Sequence, residues 1–348
     1  MGVSTVSRVF NKHPDVGAET REKVLQVAKE LGYRPNSCAR QLVRDTTETI
    51  CFVMSNRDVI SQFHSKVLVG VEEYAGTVAH SVIFMRFDYA PNTPPEDLAL
   101  PRVLWERGTV DGVIIAGTNY PNFVRVIKNL GIPFVLFGNN LIGRMPVGDI
   151  DTIWFDTEGG CRCATEHLLG LGHQRVWFLG DTRLPWYRRC YRGYVAAMEQ
   201  QGLKPQSLEV DWTSSLFECG VNAAERVAEL GEQVTAVVAG DDEIALGVLT
   251  GLTRRSIRVP EDVSLVGFDD IDEIKYVHPP LTTIRVPKEK VGENLARVLF
   301  DRLANPGAPF LKRVIPTELV VRESTAAPKP ADTPPVLDHI DEHEVVSS

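Results

Sequence analysis

TAVVAGDDEIALGVLTGLTRRSIRVPEDVSLVGFDD, from Thr235 to Asp270, decides the fold class. TAVVAG and VSLVGF are short, continuous apolar runs, and the 3.6-residue pattern between them predicts a helix over Asp242 to Arg255. Strands that are apolar without alternation are covered on both faces, so this stretch reads as a βαβ unit of a parallel sheet. Outward from it the same kind of run recurs as TICFVM (Thr49 to Met54), SVIFMRF (Ser81 to Phe87), VDGVIIA (Val110 to Ala116), IPFVLFG (Ile132 to Gly138) and RVWFLG (Arg175 to Gly180). Helical patterns over Ser65 to Ala75, Pro95 to Arg107, Glu158 to Leu171, Arg192 to Gln201 and Phe217 to Leu230 supply the cover. About 230 residues of alternating strand and helix exceed one comfortable doubly wound sheet. The expectation is an α/β protein of two doubly wound lobes with a small-molecule cleft between them.

Composition agrees with a globular chain. The 348 residues are 43% hydrophobic and 24% charged, enough to build real cores, and their number suits two or three domains. No apolar run approaches the ~20 residues that span a bilayer, and no export signal opens the chain, so a cytoplasmic protein is expected. Six scattered cysteines without a CxxC predict free thiols, with neither disulfides nor a metal site. Residues 1 to 45 hold eight Lys/Arg and five Asp/Glu, whereas the remainder holds 29 and 41. A basic head therefore precedes an acidic body, and if DNA is a partner the head must touch it. From Ala326 onward four prolines and five acids predict a disordered tail over 326–348.

The head reads as helical. STVSRVFNKHP predicts a short helix, and GAETREKVLQVAKELGYRP an amphipathic one with Val24, Val27, Ala28 and Leu31 on one face and Gly32 as its stop. PNSCARQLVRD adds a further short helix, with Asn36 as its N-cap.

TVSRVFN at Thr5, ETREKVLQVAKELGYRPN from Glu19 and ARQL at Ala39 resemble the headpiece of the lac-repressor-type (LacI/GalR) transcription regulators. VDGVIIA, ATEHLLGLGHQRV at Ala164, RGYVAAM at Arg192, GDDEIALGVL at Gly240, RVPEDVSLVGFDD at Arg258, PPLTTIR at Pro279 and PTELVVRES at Pro316 follow in that family's order and spacing. The resemblance implies a helix-turn-helix head (1–34), a hinge helix (35–47) and a two-lobed effector-binding and dimerisation domain of periplasmic-binding-protein type (48–325). It implies a regulator, most simply a repressor, that binds palindromic operator DNA as a homodimer under control of a small-molecule effector, with a sugar expected. The family's first helix has almost no counterpart upstream of Thr5, so the head is expected to be partial and weak on operator as written. Met1 falls in register on a family valine, which a GTG codon encodes, and this suggests a start placed inside the gene.

Carried over residue by residue, Val3 and Ser4 would face base edges, with Arg8 one turn on reading guanine or phosphate. Thr5, Ser7 and Asn11 would bond phosphates. In the hinge, Leu42 would wedge into a minor-groove step, Ala39 would let two hinge helices meet, and Arg40 and Asn36 would lie at the backbone. A plain surface helix and an ordinary linker helix are the competing readings. For the effector, Asp58 and Phe63 after the first strand, Asp156, Trp212 after LEVDW, Asp241 and Asp242 after TAVVAG, and Asp269 after VSLVGF stand at strand ends. Carboxylates accept from hydroxyls and aromatic faces stack on sugar C–H surfaces; for each Asp a helix N-cap or turn role competes. Cys190 stands where the family carries a ligand arginine, leaving Arg189 adjacent but in another register, and SQFH replaces the family's common NPFF.

Catalysis has little support: GxSxG, P-loop, GxGxxG and HExxH motifs are all missing, and no cofactor is expected. The rival readings are a transport-type sugar-binding protein and an effector sensor without DNA-binding competence.

Overall fold

The computed structural model describes residues 2–10, 13–33, 46–57, 61–145, 149–212 and 215–330. Asn11, Asp58, the whole set Asn36, Ala39, Arg40 and Leu42, and the tail from 331 lie outside the described residues.

Among the described residues two helices form the head, α1 (Val3–Phe10) and α2 (Ala18–Glu30). Gly32 stops α2 as expected: at φ +60 it lets Tyr33 N–H reach the Ala28 carbonyl (2.8 Å) and its own N–H reach Lys29 (3.2 Å), closing the last turn. Val9 and Val24 are buried between the helices, and the Phe10 and Tyr33 rings meet at 5.5 Å. The rest of the predicted apolar face stays open, because the two helices alone do not cover it. Val27 and Leu31 are exposed and line an apolar groove with Val6, Phe10 and Tyr33.

Beyond the head, two six-stranded sheets alternate with helices. The first contains β1 (Thr49–Ser55), β2 (Ser81–Phe87), β3 (Gly112–Gly117), β4 (Phe134–Phe137), β5 (Asp151–Phe155) and β11 (Lys312–Ile315), in the order β11-β5-β4-β3-β1-β2, every pair parallel. The second contains β6 (Val176–Leu179), β7 (Gln206–Ser207), β8 (Ala236–Ala239), β9 (Ser264–Asp269), β10 (Thr282–Arg285) and β12 (Glu318–Val320), in the order β12-β10-β9-β8-β6-β7, with only β12 antiparallel. Every residue of β3, β4 and β8 is buried, as two-sided cover requires.

The covering helices are α3 (Gln62–Thr77), the single turn α4 (Arg102–Trp105), α5 (Pro121–Asn129), α6 (Thr157–Gly170), α7 (Pro185–Gln200), α8 (Leu216–Leu230), α9 (Asp242–Arg254) and α10 (Lys288–Ala304). The chain passes between the lobes three times, after β5, after β10 and after β11, so each sheet is finished by a segment distant in sequence. α10 packs on α3 and across β3, β4 and β5. Glycines set how closely helices approach: a Cβ on Gly292 would stand 1.9 Å from the Val67 carbonyl oxygen, and one on Gly70 2.0 Å from that of Glu289.

Several expectations are corrected. The helix predicted over Pro95 to Arg107 is a 3-10 turn (Pro95–Asp97) and the separate α4, because Pro101 has no N–H to continue a ladder. α7 begins seven residues earlier than predicted, at Pro185, whose fixed φ suits a first turn. The strand expected at LEVDW is the two-residue β7 just before it. β5, β10, β11, β12, α5 and α10 come in addition. The described cysteines are free thiols.

Candidate functional site

The strand ends of the two sheets face each other across a cavity of about 340 Å³. One lobe contributes Arg57 just after β1, Ser61 to His64 at the start of α3, Asn140 after β4, and Phe155 at the end of β5. The other contributes Trp186 and Cys190 from α7, Asp241 and Glu243 after β8, and Phe268, Asp269 and Glu273 from β9 and beyond. Phe63 stacks on Phe137 (6.0 Å) and packs against Phe155 (5.7 Å), giving the cavity an aromatic wall.

Asp269 ends β9 at φ +112, a strained backbone for a non-glycine residue. The surroundings brace it. The buried Lys288 ammonium donates to the Asp269 carbonyl and to that of Asp270 (3.1 Å). Asp270 in turn accepts from Arg285 (2.7 Å) and Arg322 (2.5 Å). Behind the turn, Asp242 accepts from Thr283 Oγ1 (2.6 Å) and from the Ile271 N–H (2.9 Å).

The electrostatics follow from crowding acids out of water. Burial pushes the Asp241 carboxyl up to about 6, against the backbone N–H bonds of the α9 N-terminus and the pull of Arg57. Burial and the neighbouring Asp241 push Asp269 well above the carboxylate range, while Lys288 and Arg57 oppose them. Burial takes Asp242 up to about 8. Burial, assisted by Arg57, pushes His64 down to about 3, so its ring is neutral; Ser61 Oγ (2.9 Å) and Asn140 Nδ2 (3.4 Å) hold it.

The cavity brings together Phe63, Asp241 and Asp269 of the residues singled out from sequence. The other four described residues stand off it. Asp242 is turned inward as above. Asp156 is the N-cap of α6, accepting from the Gly159 N–H (2.8 Å). Arg189 donates to the Asn139 carbonyl and lies over the Trp154 ring at 5.2 Å. Trp212 stacks on Tyr187 at 6.3 Å. Sequence reasoning missed Arg57, Gln62, Trp186 and Glu273: acids and aromatics were the signal at strand ends, which passes over Arg57 and Gln62, while Trp186 lies in a first turn that was expected to start only at Arg192 and Glu273 in a 3-10 turn that was not expected. Among the described residues three contacts join the lobes beside the cavity: Lys66 pairs with Asp272 (2.7 Å), and Gln62 accepts from the Asp272 N–H (2.7 Å) and donates to Glu273 (3.2 Å).

In the head, Ser4 and Arg8 are exposed one turn apart on α1, and Thr5 is half-buried. Val3 and Ser7 belong to the same helix. Among the described residues no group of His, Cys, Asp and Glu could hold a metal, and no helix is long and apolar enough to cross a membrane.

Residues 165–325 match the periplasmic binding protein-like domain, and residues 1–36 match the bacterial regulatory proteins of the lacI family. The chain is 27% identical to the transcriptional repressor CytR of Escherichia coli (strain K12), over 94% of each protein. It is 31% identical to the transcriptional regulator CelR of Thermobifida fusca, over 93% of this chain and 95% of that one. Among solved structures, the lac repressor dimer bound to operator and the anti-inducer ONPF superposes with a TM-score of 0.78 (26% identity; 93% and 95% of the two chains). A CelR–cellobiose complex gives 0.69 (28% identity; 93% and 96%).

Proposed function

Since the chain belongs to the lacI family of bacterial regulatory proteins, we propose that it is a transcriptional repressor whose grip on a palindromic operator is set by a sugar held between its two lobes. The observation that carries this reading is the cavity between facing strand ends, walled by Phe63 and Trp186 and floored by the carboxylates Asp241 and Asp269. Hydroxyl acceptors beside aromatic faces suit a sugar, and the relatives CytR and CelR are regulators of transcription. The division is head 1–34, hinge 35–47 and effector domain 48–325. The protein works as a cytoplasmic homodimer and performs no catalysis. Arg8, Ser4 and Val3 face base edges, Thr5, Ser7 and Asn11 take phosphates, and Leu42 is the hinge wedge, set by Ala39, Arg40 and Asn36.

The test is selection of binding sites from random duplex DNA, then gel shift across salt concentrations, with and without sugars that raise the thermal midpoint. A palindromic consensus whose affinity falls steeply with salt and changes with sugar supports the reading. Salt-independent or sequence-blind binding refutes it.

A further inference from the structure

Arg57 is the sole cation lining the cavity among the described residues, since burial keeps His64 neutral. It leaves β1 two residues past the strand's end and reaches toward the opposite lobe, where its guanidinium lies 5.6 Å from the Trp186 ring centroid. Among the described residues it makes no ion pair or hydrogen bond, and its Nε is sealed from solvent with no partner. Burial lowers its pKa, while Tyr187, Asp241 and Asp269 oppose that shift. Two carboxylates thus face a desolvated guanidinium without closing on it. Arg189 also has a buried Nε without a partner, but its terminal nitrogen donates to the Asn139 carbonyl, its guanidinium lies on the Trp154 face and it does not line the cavity. Cys190 lines it and brings no charge.

A half-buried guanidinium whose donors meet no acceptor is costly unless something supplies one. The missing group must accept from a guanidinium on one side and donate to carboxylates on the other. A hydroxyl does both, and a vicinal pair of hydroxyls matches the planar fork of the two terminal nitrogens. An anionic group would satisfy Arg57 equally well, but it would enter a cavity also lined by Asp241, Glu243 and Glu273.

We propose that Arg57 is the specificity-determining residue of the effector site, gripping adjacent hydroxyls of a neutral sugar whose other face bonds Asp241 and Asp269, so that the effector ties one lobe to the other. This deepens the sugar reading above and rests on it. Discrimination then comes from two directions: deoxy sugars leave Arg57 unsatisfied, and sugar acids meet the carboxylates.

The experiment uses the full chain. Wild type, Arg57→Met and Arg57→Lys are screened by thermal shift and calorimetry against neutral mono- and disaccharides, and in parallel against glucuronate and glucose 6-phosphate. A neutral sugar should bind wild type. Arg57→Met should bind it ten- to a hundredfold more weakly, and Arg57→Lys at an intermediate level, because an ammonium keeps the charge and loses the fork. The empty Arg57→Met protein should melt no lower than wild type, since it loses a desolvated cation that nothing pairs. Equal sugar affinity in wild type and Arg57→Met overturns the role of Arg57 while leaving the sugar reading intact. Preference of wild type for glucuronate or glucose 6-phosphate overturns the neutral class. A wild type that binds neither panel overturns the sugar reading and this inference with it.

Discussion

Replacing Asp242 by asparagine should make the protein more stable at neutral and alkaline pH, and the size of the gain can be worked from its surroundings. The side chain is fully buried, and burial takes its carboxyl from the ordinary 3.8 up to about 8. At pH 7 the folded protein therefore retains a proton that the unfolded chain has released. With about 1.4 kcal/mol per unit of displacement, this costs folding up to about 4 kcal/mol. The sign is that of a carboxylate raised on folding: the penalty is nil below the unfolded value near pH 4, grows as pH rises, and levels off above about pH 8. Asparagine keeps both partners once oriented: its oxygen accepts from the Ile271 N–H, and its NH2 donates to Thr283 Oγ1, which reverses the sense of that bond and requires only a turn of the hydroxyl. Urea unfolding from pH 4.5 to 8.5 should give Asp242→Asn a flatter profile than wild type, with the gap widening by roughly 4 kcal/mol between pH 4.5 and pH 8. Parallel profiles, or a variant less stable than wild type at pH 8, would refute the argument. Sugar affinity should be retained in Asp242→Asn. A fold-intact variant that has lost it would mean Asp242 touches the effector rather than bracing the loop behind it.

Asp269→Asn fixes a donor NH2 where the carboxyl can give up its proton and accept from Arg57 and a sugar hydroxyl together, so calorimetry should show a ten- to a hundredfold loss of affinity, about 1–3 kcal/mol, with the empty protein melting no lower than wild type; unchanged affinity would return Asp269 to a turn role. Gly292→Ala drives a methyl to 1.9 Å from the Val67 backbone oxygen, and because backbone yields less readily than a side-chain tip, scanning calorimetry should record at least ~1–3 kcal/mol of destabilisation; a neutral result means α3 and α10 do not pack as described.

What the sequence made legible divides along physical lines. β3 and β8 were readable because two-sided burial demands an uninterrupted apolar run. β5 was not, because DTIWF opens with a carboxylate that only the fold neutralises: Asp151 is buried by Arg302, which donates to it at 2.8 and 3.1 Å. β11 (KRVI) lies at a sheet edge with three of its four residues exposed, so its charges mask it. α10 went unread through its many charged residues, although its buried positions are spaced as on any amphipathic helix. In the cleft, the rule that ligands gather at strand ends reached Phe63, Asp241 and Asp269. That rule does not separate an acid facing the cavity from one capping a helix, and Asp156 caps α6. Arg57 was invisible because its significance lies in partners from the opposite lobe, which no local pattern reveals.

The triple passage of the chain between lobes also governs the order in which the molecule can be made. The first sheet has five strands in hand once Phe155 leaves the ribosome, but α10, which covers three of them, begins at Lys288, and the edge strand β11 ends at Ile315. At ~5–20 residues per second the nascent first lobe waits on the order of ten seconds with one side of β3, β4 and β5 bare. Over that interval the second lobe's strands β6 to β10 are emerging beside an unfinished apolar surface. Such a chain completes its two lobes nearly together at the end of translation, and the first lobe needs shelter from aggregation until the last fifth of the chain arrives.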